Sequence, residues 1–244
     1  FFTLFLLFCR YLPVVAMALD ASGEVPVLWF GTLYGSYAKF DVLRIEDQGG
    51  AFGTPADIGK LPENRQSAAG AVTELSLDRA RRILYINGRQ YDIAADKWLE
   101  SVGDKFKSGS AGLDGNFYVQ VYPKTVTRYG PDLKPLPFPK GGEKGGIGWN
   151  GGTMRLRGRG VTADAAGNVY VLWQKGESKA QANTLWVYNP DGSVKKENLI
   201  DAEIRSLNSV RVDHAGNVYL ALGLRPGKAL LPPGLEGKVA DGPK

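Results

Sequence analysis

The sequence predicts an all-β fold made of repeated four-stranded antiparallel units, and three observations support this prediction. The segment Val161–Tyr170, which reads VTADAAGNVY, returns 49 residues later as Val210–Tyr219, which reads VRVDHAGNVY. Weaker copies of this segment lie at 113–118, 18–25 and 75–78. The 32 glycines and 14 prolines suit the many tight turns that short strands require. A unit of two strands around a tight turn, recurring at this length, is the signature of a repeat architecture.

The clearest unit contains four predicted strands. Gly160–Asp164 alternates in polarity, and after an Ala-Ala-Gly-Asn turn the strand Val169–Trp173 is rich in β-branched and aromatic residues. Leu185–Tyr188 forms the third strand, and an Asn-Pro-Asp-Gly turn leads into the fourth, Ser193–Lys196. Four antiparallel strands in about 40 residues match the size of one β-propeller blade.

The same order of strands is predicted for the rest of the chain. The strands predicted for the first unit are Leu12–Leu19, Val25–Phe30, Phe40–Ile45 and a poor one near Ala51-Phe52. Those of the second are Val72–Leu77, Ile83–Ile86, Gln90–Ile93 and Trp98–Val102, with an Asn-Gly hairpin turn in the middle. Those of the third are Ser110–Leu113, Phe117–Tyr122, Thr125–Tyr129 and a Pro-rich fourth strand. The fifth unit has only Val210–Val212 and Val218–Leu222.

These strands divide the chain into four blades and part of a fifth. The predicted blades span about 12–60, 72–103, 108–140, 159–200 and 208–222. Residues 1–11 are interpreted as an apolar leader or the edge of a fragment, and 223–244 as a Pro/Gly/Lys-rich tail or the start of an incomplete blade. The apolar run 1–8 is shorter than the roughly 20 residues of a membrane span. We expect the chain to be part of a longer protein, with further blades outside it; a signal remnant is the alternative for residues 1–9.

Composition excludes several classes of function. The net charge of +5 comes from 30 basic and 25 acidic residues that are scattered along the chain, whereas a nucleic-acid binder usually concentrates basic residues on one element. Cys9 is the single cysteine, so neither an intramolecular disulfide nor a cysteine-based zinc site can form. His214 is the single histidine and lies within a repeat turn, which argues against a histidine-based catalytic triad.

The repeat resembles those of the six-bladed β-propellers that include NHL-repeat proteins and the SMP-30/gluconolactonase-like family. The resemblance rests on the pattern V-x-x-D-x-x-G-N-V-Y at 161–170, on its copy at 210–219, and on LWVYNPDG at 185–192. It implies a ligand site at the channel mouth opposite the Asp/Gly-Asn turns. It also implies, for lactonase-type members, a divalent metal held by an Asn, an Asp and a Glu. Asn208 and Arg205 stand where such residues would fall, but the family's Glu-Gly-Pro opening is absent from the first unit.

The repeated aspartates Asp20, Asp78, Asp114, Asp164 and Asp213 have two interpretations. They could form a ring of carboxylates that binds calcium. Alternatively, each side chain accepts hydrogen bonds from backbone N–H groups of its own turn, while a glycine or asparagine adopts the left-handed conformation. Because the residues recur in every unit, as turn chemistry would, we favour the second interpretation.

The candidate ligand-binding residues lie in loops between blades. The longest loop, Lys140–Arg159, carries Trp149 together with Arg155 and Arg157, which would point to one face of a strand. Such residues could hold an anionic or sugar-like ligand by stacking and bidentate hydrogen bonds, or the loop could be a mobile insertion with a solvated arginine face. Tyr34 and Tyr37 are the other loop aromatics that we select, together with Arg205.

We therefore predict a non-catalytic binding or interaction scaffold with no cofactor, whose partner is a protein or a small anionic or sugar-like ligand. The alternative is a metal-dependent lactonase, hydrolase or lyase of the SMP-30 type that uses a divalent cation such as calcium, with Asn208 as a ligand. A quinone-cofactor propeller is a weaker alternative, because the blade-specific Trp/Gly repeats are missing. We predict neither a nucleic-acid partner nor a membrane span. The resemblance also predicts a secreted or periplasmic location.

Overall fold

The computed structural model describes residues 14–32, 41–49, 51, 53–54, 56–60, 75–100, 102–153, 160–175, 183–200 and 207–222. Almost all of the regular structure in these ranges is antiparallel β-sheet. The first sheet contains β1 (Val14–Asp20), β2 (Val27–Thr32), β3 (Asp41–Glu46) and β4 (Ala56–Lys60). The second contains β5 (Leu75–Asp78), β6 (Ile83–Ile86), β7 (Arg89–Asp92) and β8 (Lys97–Trp98).

The third and fourth sheets follow the same plan. The third contains β9 (Gly109–Ala111), β10 (Phe117–Val121), β11 (Thr125–Tyr129) and β12 (Ile147–Gly148). The fourth contains β13 (Gly152–Thr153), β14 (Val161–Ala163), β15 (Val169–Lys175), β16 (Asn183–Tyr188) and β17 (Val194–Lys196). A hairpin of β18 (Leu207–Val212) and β19 (Val218–Leu222) comes last. Short 3-10 helices occupy Asp104–Ser108 and Glu143–Gly145.

The sheets are the blades of a β-propeller, as the sequence predicts. Strands β1, β5, β9, β14 and β18 are the innermost of their sheets, and they neighbour one another in that order around a common axis. A separate cluster of buried apolar side chains lies between each pair of neighbouring sheets. A large buried member of each cluster, in chain order, is Leu84, Phe117, Tyr118 and Leu185. Face-to-face burial of this kind explains why the second strands β6 and β10 are buried on both faces along most of their length.

Two predicted outer strands are wrong in position. The fourth strand of the first blade begins at Ala56 and not near Ala51, because the turn after β3 continues through Asp47 and Gly49. In this turn the Gly49 backbone N–H donates to Asp47 Oδ1 (3.1 Å), and Gly49 has a φ of 77°. In the third blade, β12 pairs with β11, whereas the Pro-rich segment contributes an isolated bridge between Tyr129 and Pro135. Proline lacks the N–H that a ladder requires.

The described part of the long Gly-rich loop, residues 140–153, contributes two short strands to the sheets. Its residues Ile147–Gly148 complete the third blade, and Gly152–Thr153 pair with Gln174 and Lys175 of β15, in line with β14 on the same edge. The inner edge of the fourth blade is therefore formed by two short strands, and the predicted strand Gly160–Asp164 is the second of them. The loop lies partly within the sheets because its glycines allow close approach: a Cβ on Gly146 would lie 2.5 Å from Thr125 Cγ2.

The predicted hairpin turn of the second blade is confirmed. Asn87 and Gly88 both have positive φ, 48° and 78°, which is the backbone conformation that a two-residue type I′ turn requires between β6 and β7.

Across the described ranges, none of the helical segments has the length and apolar character needed to cross a membrane.

Candidate functional site

A cavity of about 260 Å³ lies on the propeller axis, where residues of all five inner strands line it. These strands run in the same direction, and a repeat aspartate is the last residue of β1 and β5 and closely follows β9, β14 and β18. Most of the lining residues therefore lie just before or at the Asp turns. The cavity is therefore at the Asp-turn end of the channel. The resemblance implied a site at the opposite mouth, and most of the predicted loops there lie outside the described residues.

The cavity is amphipathic. Its apolar lining includes Met17 and Leu19 of the first blade, which are each 47% exposed, and the fully packed Leu75 of the second. Its polar lining includes the hydroxyl side chains of Ser76, Ser110 and Thr162, one each from the second, third and fourth blades. These three residues are only 1–5% exposed, so little of their surface reaches the cavity.

One of the three hydroxyls is an exception to the usual pairing of buried polar groups. Ser76 Oγ accepts a hydrogen bond from the backbone N–H of Ala111 at 3.1 Å, which joins the second blade to the third. Ser110 Oγ is buried, and no described atom is placed to hydrogen-bond it. A hydroxyl that is removed from water without a partner costs free energy. Ser110 is thus the lining residue with unused hydrogen-bonding capacity.

Charged groups also line the cavity. Arg79 follows the second-blade aspartate, is exposed and has no hydrogen bond or ion pair within the described part of the chain. Arg211 lies in β18 and donates from Nη1 to the Val210 carbonyl oxygen at 2.8 Å. Asp213 also lines the cavity, and hydrogen bonds from the Asn217 side chain, the backbone and Tyr219 hold its pKa below the usual range. The lining therefore carries two positive charges and one negative charge at neutral pH.

The repeat aspartates are used in turn structure, as the favoured interpretation predicts. Asp164 Oδ1 accepts from the backbone N–H of Ala166 (3.0 Å) and of Asn168 (2.8 Å), and Oδ2 accepts from Asn168 Nδ2 (2.7 Å) and the Tyr170 hydroxyl (3.3 Å). Gly167 takes the positive φ of 81° in this turn. The asparagine and the tyrosine of the repeat therefore both hydrogen-bond to the same carboxylate.

The other copies of the turn keep parts of this network. In the third blade the Tyr118 hydroxyl donates to Asp114 Oδ2 at 2.6 Å, and burial, with the nearby carboxylate, raises the pKa of Tyr118 well above its ordinary value. In the first blade burial raises the pKa of Asp20, but hydrogen bonds from Ser22 and Arg82 outweigh this effect and leave the pKa lowered. The Arg82 contact, 3.3 Å from Nη2 to Oδ2, also ties the second blade to the first.

Trp149 lies against the interior, not free in solvent. It is partly buried between the third and fourth blades, and its ring centroid is 5.1 Å from that of Trp186 and 6.2 Å from that of Trp173. It does not line the axial cavity. Its selection as a ligand-binding residue stays a prediction, but its contacts give it a role in packing.

Most of the other predicted site residues lie in parts of the chain that the structure does not describe. Arg155, Arg157, Arg205, Tyr34 and Tyr37 lie outside the described residues. Asn208 lies in β18, where the pairing register with β19 shifts between Leu207 and Ser209. Among the described residues, no three His, Cys, Asp or Glu side chains are grouped so that they could hold a metal ion.

The cavity residues were missed by sequence reasoning, although a signal for them exists. Ser76, Thr162 and Arg211 each stand two positions before the aspartate of their repeat. Aligning the repeats at the aspartate therefore places one polar residue at the same level of three inner strands, in a segment otherwise apolar. That recurrence would have indicated that these residues lie together at the propeller axis.

A comparison with protein-family models and with curated proteins found no match for this chain.

Proposed function

We propose that the protein is a binding scaffold, a propeller of the NHL-repeat or SMP-30-like group that holds a partner or small ligand and performs no chemistry on it. The observation that carries the proposal is the amphipathic cavity on the axis, lined by buried hydroxyls and half-exposed apolar side chains. A concave, mostly apolar site with a few convergent polar groups is the usual form of a ligand site. The resemblance to these families favours a secreted or periplasmic location.

The proposal is tested by filling the cavity. Leu19→Trp enlarges a lining side chain that is 47% exposed, so the larger ring has room and the fold should be retained. Saturation-transfer NMR with a mixture of small neutral, anionic and cationic fragments should show binding to the wild type that is lost in Leu19→Trp. Leu199→Trp is the matched control, because Leu199 is 41% exposed and does not line the cavity. Absence of fragment binding, or equal binding by the wild type and Leu19→Trp, would refute the axial cavity as the ligand site on which the proposal depends.

A calcium titration separates this proposal from the metal-dependent alternative. A native-state site at a calcium concentration 100-fold above its Kd would add about 2.7 kcal/mol of stability, or roughly 5–10 °C in Tm for a chain of this size. We expect no such rise, because the repeat carboxylates already accept hydrogen bonds within their own turns. The measurement is a thermal melt with excess calcium and then with EDTA. A rise of several degrees that EDTA reverses, and that Asn208→Ala removes, would favour the lactonase-like alternative.

A further inference from the structure

The last hairpin, β18–β19, shares a buried apolar cluster with the fourth blade. Its Val210 is fully buried in this cluster, together with Leu172 and Leu185 of the fourth blade. The other three clusters join the first blade to the second, the second to the third and the third to the fourth. Among the described residues, therefore, no buried cluster joins the hairpin to the first blade and closes the ring.

The side chains at this open boundary are in contact with water. Ala18 packs against the cluster shared with the second blade, so Met17 and Leu19, its neighbours along β1, point to the opposite face. Both are half-exposed. Tyr219 occupies the repeat position of Tyr118, whose ring is buried between the third and fourth blades, but Tyr219 is 56% exposed. The first blade thus leaves the outward face of the hairpin largely uncovered.

The hairpin is also less buried than the equivalent part of the other blades. All four residues of β6 and the first four of β10 are buried, whereas Val218, Tyr219 and Leu220 of β19 are not. The carboxylate of Asp213 accepts its hydrogen bonds from residues of the hairpin itself. Since a two-stranded hairpin is at best marginally stable alone, its position depends on the cluster that it shares with the fourth blade.

We propose that β18–β19 opens from the fourth blade as a unit while the four blades stay folded, and that this opening uncovers the axial cavity. A segment with few buried apolar contacts opens at a lower free energy than the whole chain unfolds. The hairpin contributes part of the cavity lining, namely Arg211, Val212, Asp213 and Tyr219. The inference concerns access to the site of the proposed function, but its test needs no ligand, so either proposal can fail without the other.

The fourth blade offers a reporter for the opening and a matched control. Thr162 lies opposite Tyr170 in the ladder, so both side chains are on the face that packs against the hairpin. Thr184 lies opposite Trp173, whose ring is in the cluster shared with the third blade. Both threonines are buried. Opening of the hairpin should therefore expose Thr162 and leave Thr184 covered.

The test measures the reaction of introduced thiols with the reagent DTNB in full-length protein that carries Cys9→Ser, which removes the native thiol. When the hairpin opens and closes quickly, the reaction rate follows the population of the open form. Thr162→Cys should react at least about tenfold faster than Thr184→Cys, which needs global unfolding. Urea should raise the rate of Thr184→Cys steeply and that of Thr162→Cys only weakly, because a local opening exposes little surface. Equal rates with the same urea dependence would overturn the proposal.

Two further substitutions identify which opening each thiol reports. Ile86→Val weakens the core between the first and second blades, so it should speed the reaction of Thr184→Cys about two- to tenfold and leave that of Thr162→Cys unchanged. Val210→Ala weakens the attachment of the hairpin and should speed both reactions severalfold. If Val210→Ala does not change a fast reaction of Thr162→Cys, DTNB reaches this thiol without hairpin movement and the proposal is wrong. Acceleration of Thr162→Cys by Ile86→Val would also overturn it.

Discussion

Replacement of Trp173 by alanine is expected to lower the free energy of unfolding by about 3–5 kcal/mol, the largest loss that we predict for a single side chain. Trp173 is fully buried between the third and fourth blades, and its Nε1 donates to the Tyr188 hydroxyl at 3.0 Å. The substitution would leave a large cavity and remove the partner of a buried hydroxyl. Burial is also the reason that the pKa of Tyr188 is raised. Urea denaturation followed by circular dichroism measures the loss.

Trp149→Ala is the matched control for this prediction. Trp149 contacts the same cluster from its edge and is only partly buried, so we expect a loss of about 1–2 kcal/mol. A loss as large as that of Trp173→Ala would mean that the Gly-rich loop is an integral part of the core. No loss at all would contradict the packing role and return Trp149 to the set of ligand-binding candidates in loops.

The strands of this fold could be predicted from sequence because each repeat carries its own local signals. Ile83–Ile86 is predicted and observed with the same bounds, since an Asn-Gly turn follows it directly and fixes the register of the hairpin. Where the local signal was weak the prediction failed. Ile147–Gly148 has only two residues in its ladder, and nothing in its sequence distinguishes it from the surrounding loop. Its position depends on pairing with Thr125 and Val126, which lie about 20 residues earlier in the chain.

The candidate site could not be predicted in the same way, because it is assembled from different blades. Ser76, Ser110 and Thr162 come together only because the inner strands surround one axis, and each of them by itself is an ordinary strand or turn residue. Loop composition instead drew attention to Trp149, whose aromatic ring packs against Trp186. An aromatic residue in a Gly-rich segment has the same local sequence whether it contacts a ligand or the protein core.

Replacement of Asp164 by alanine is expected to lower the free energy of unfolding by about 2–3 kcal/mol, because it removes four hydrogen bonds, two of them from the buried Asn168. The donors are the backbone N–H groups of Ala166 and Asn168, the Asn168 side chain and the Tyr170 hydroxyl. Asn168 is 8% exposed and the next residue, Val169, is fully buried. These donors could not all recover a water molecule after the substitution. Urea denaturation is the measurement.

Substitution of Asp213 is the matched control for the prediction at Asp164. Its carboxylate accepts the same four hydrogen bonds, from Ala215, Asn217 and Tyr219, but in a turn that is exposed. We expect a much smaller loss for Asp213→Ala, since water can replace the missing acceptor. Equal losses at the two positions would show that the carboxylate fixes the turn geometry and that burial does not determine the cost. Asp164→Asn divides the effect further, because its amide oxygen can still accept from the two backbone N–H groups, whereas its amide nitrogen cannot accept from Asn168 Nδ2 or Tyr170.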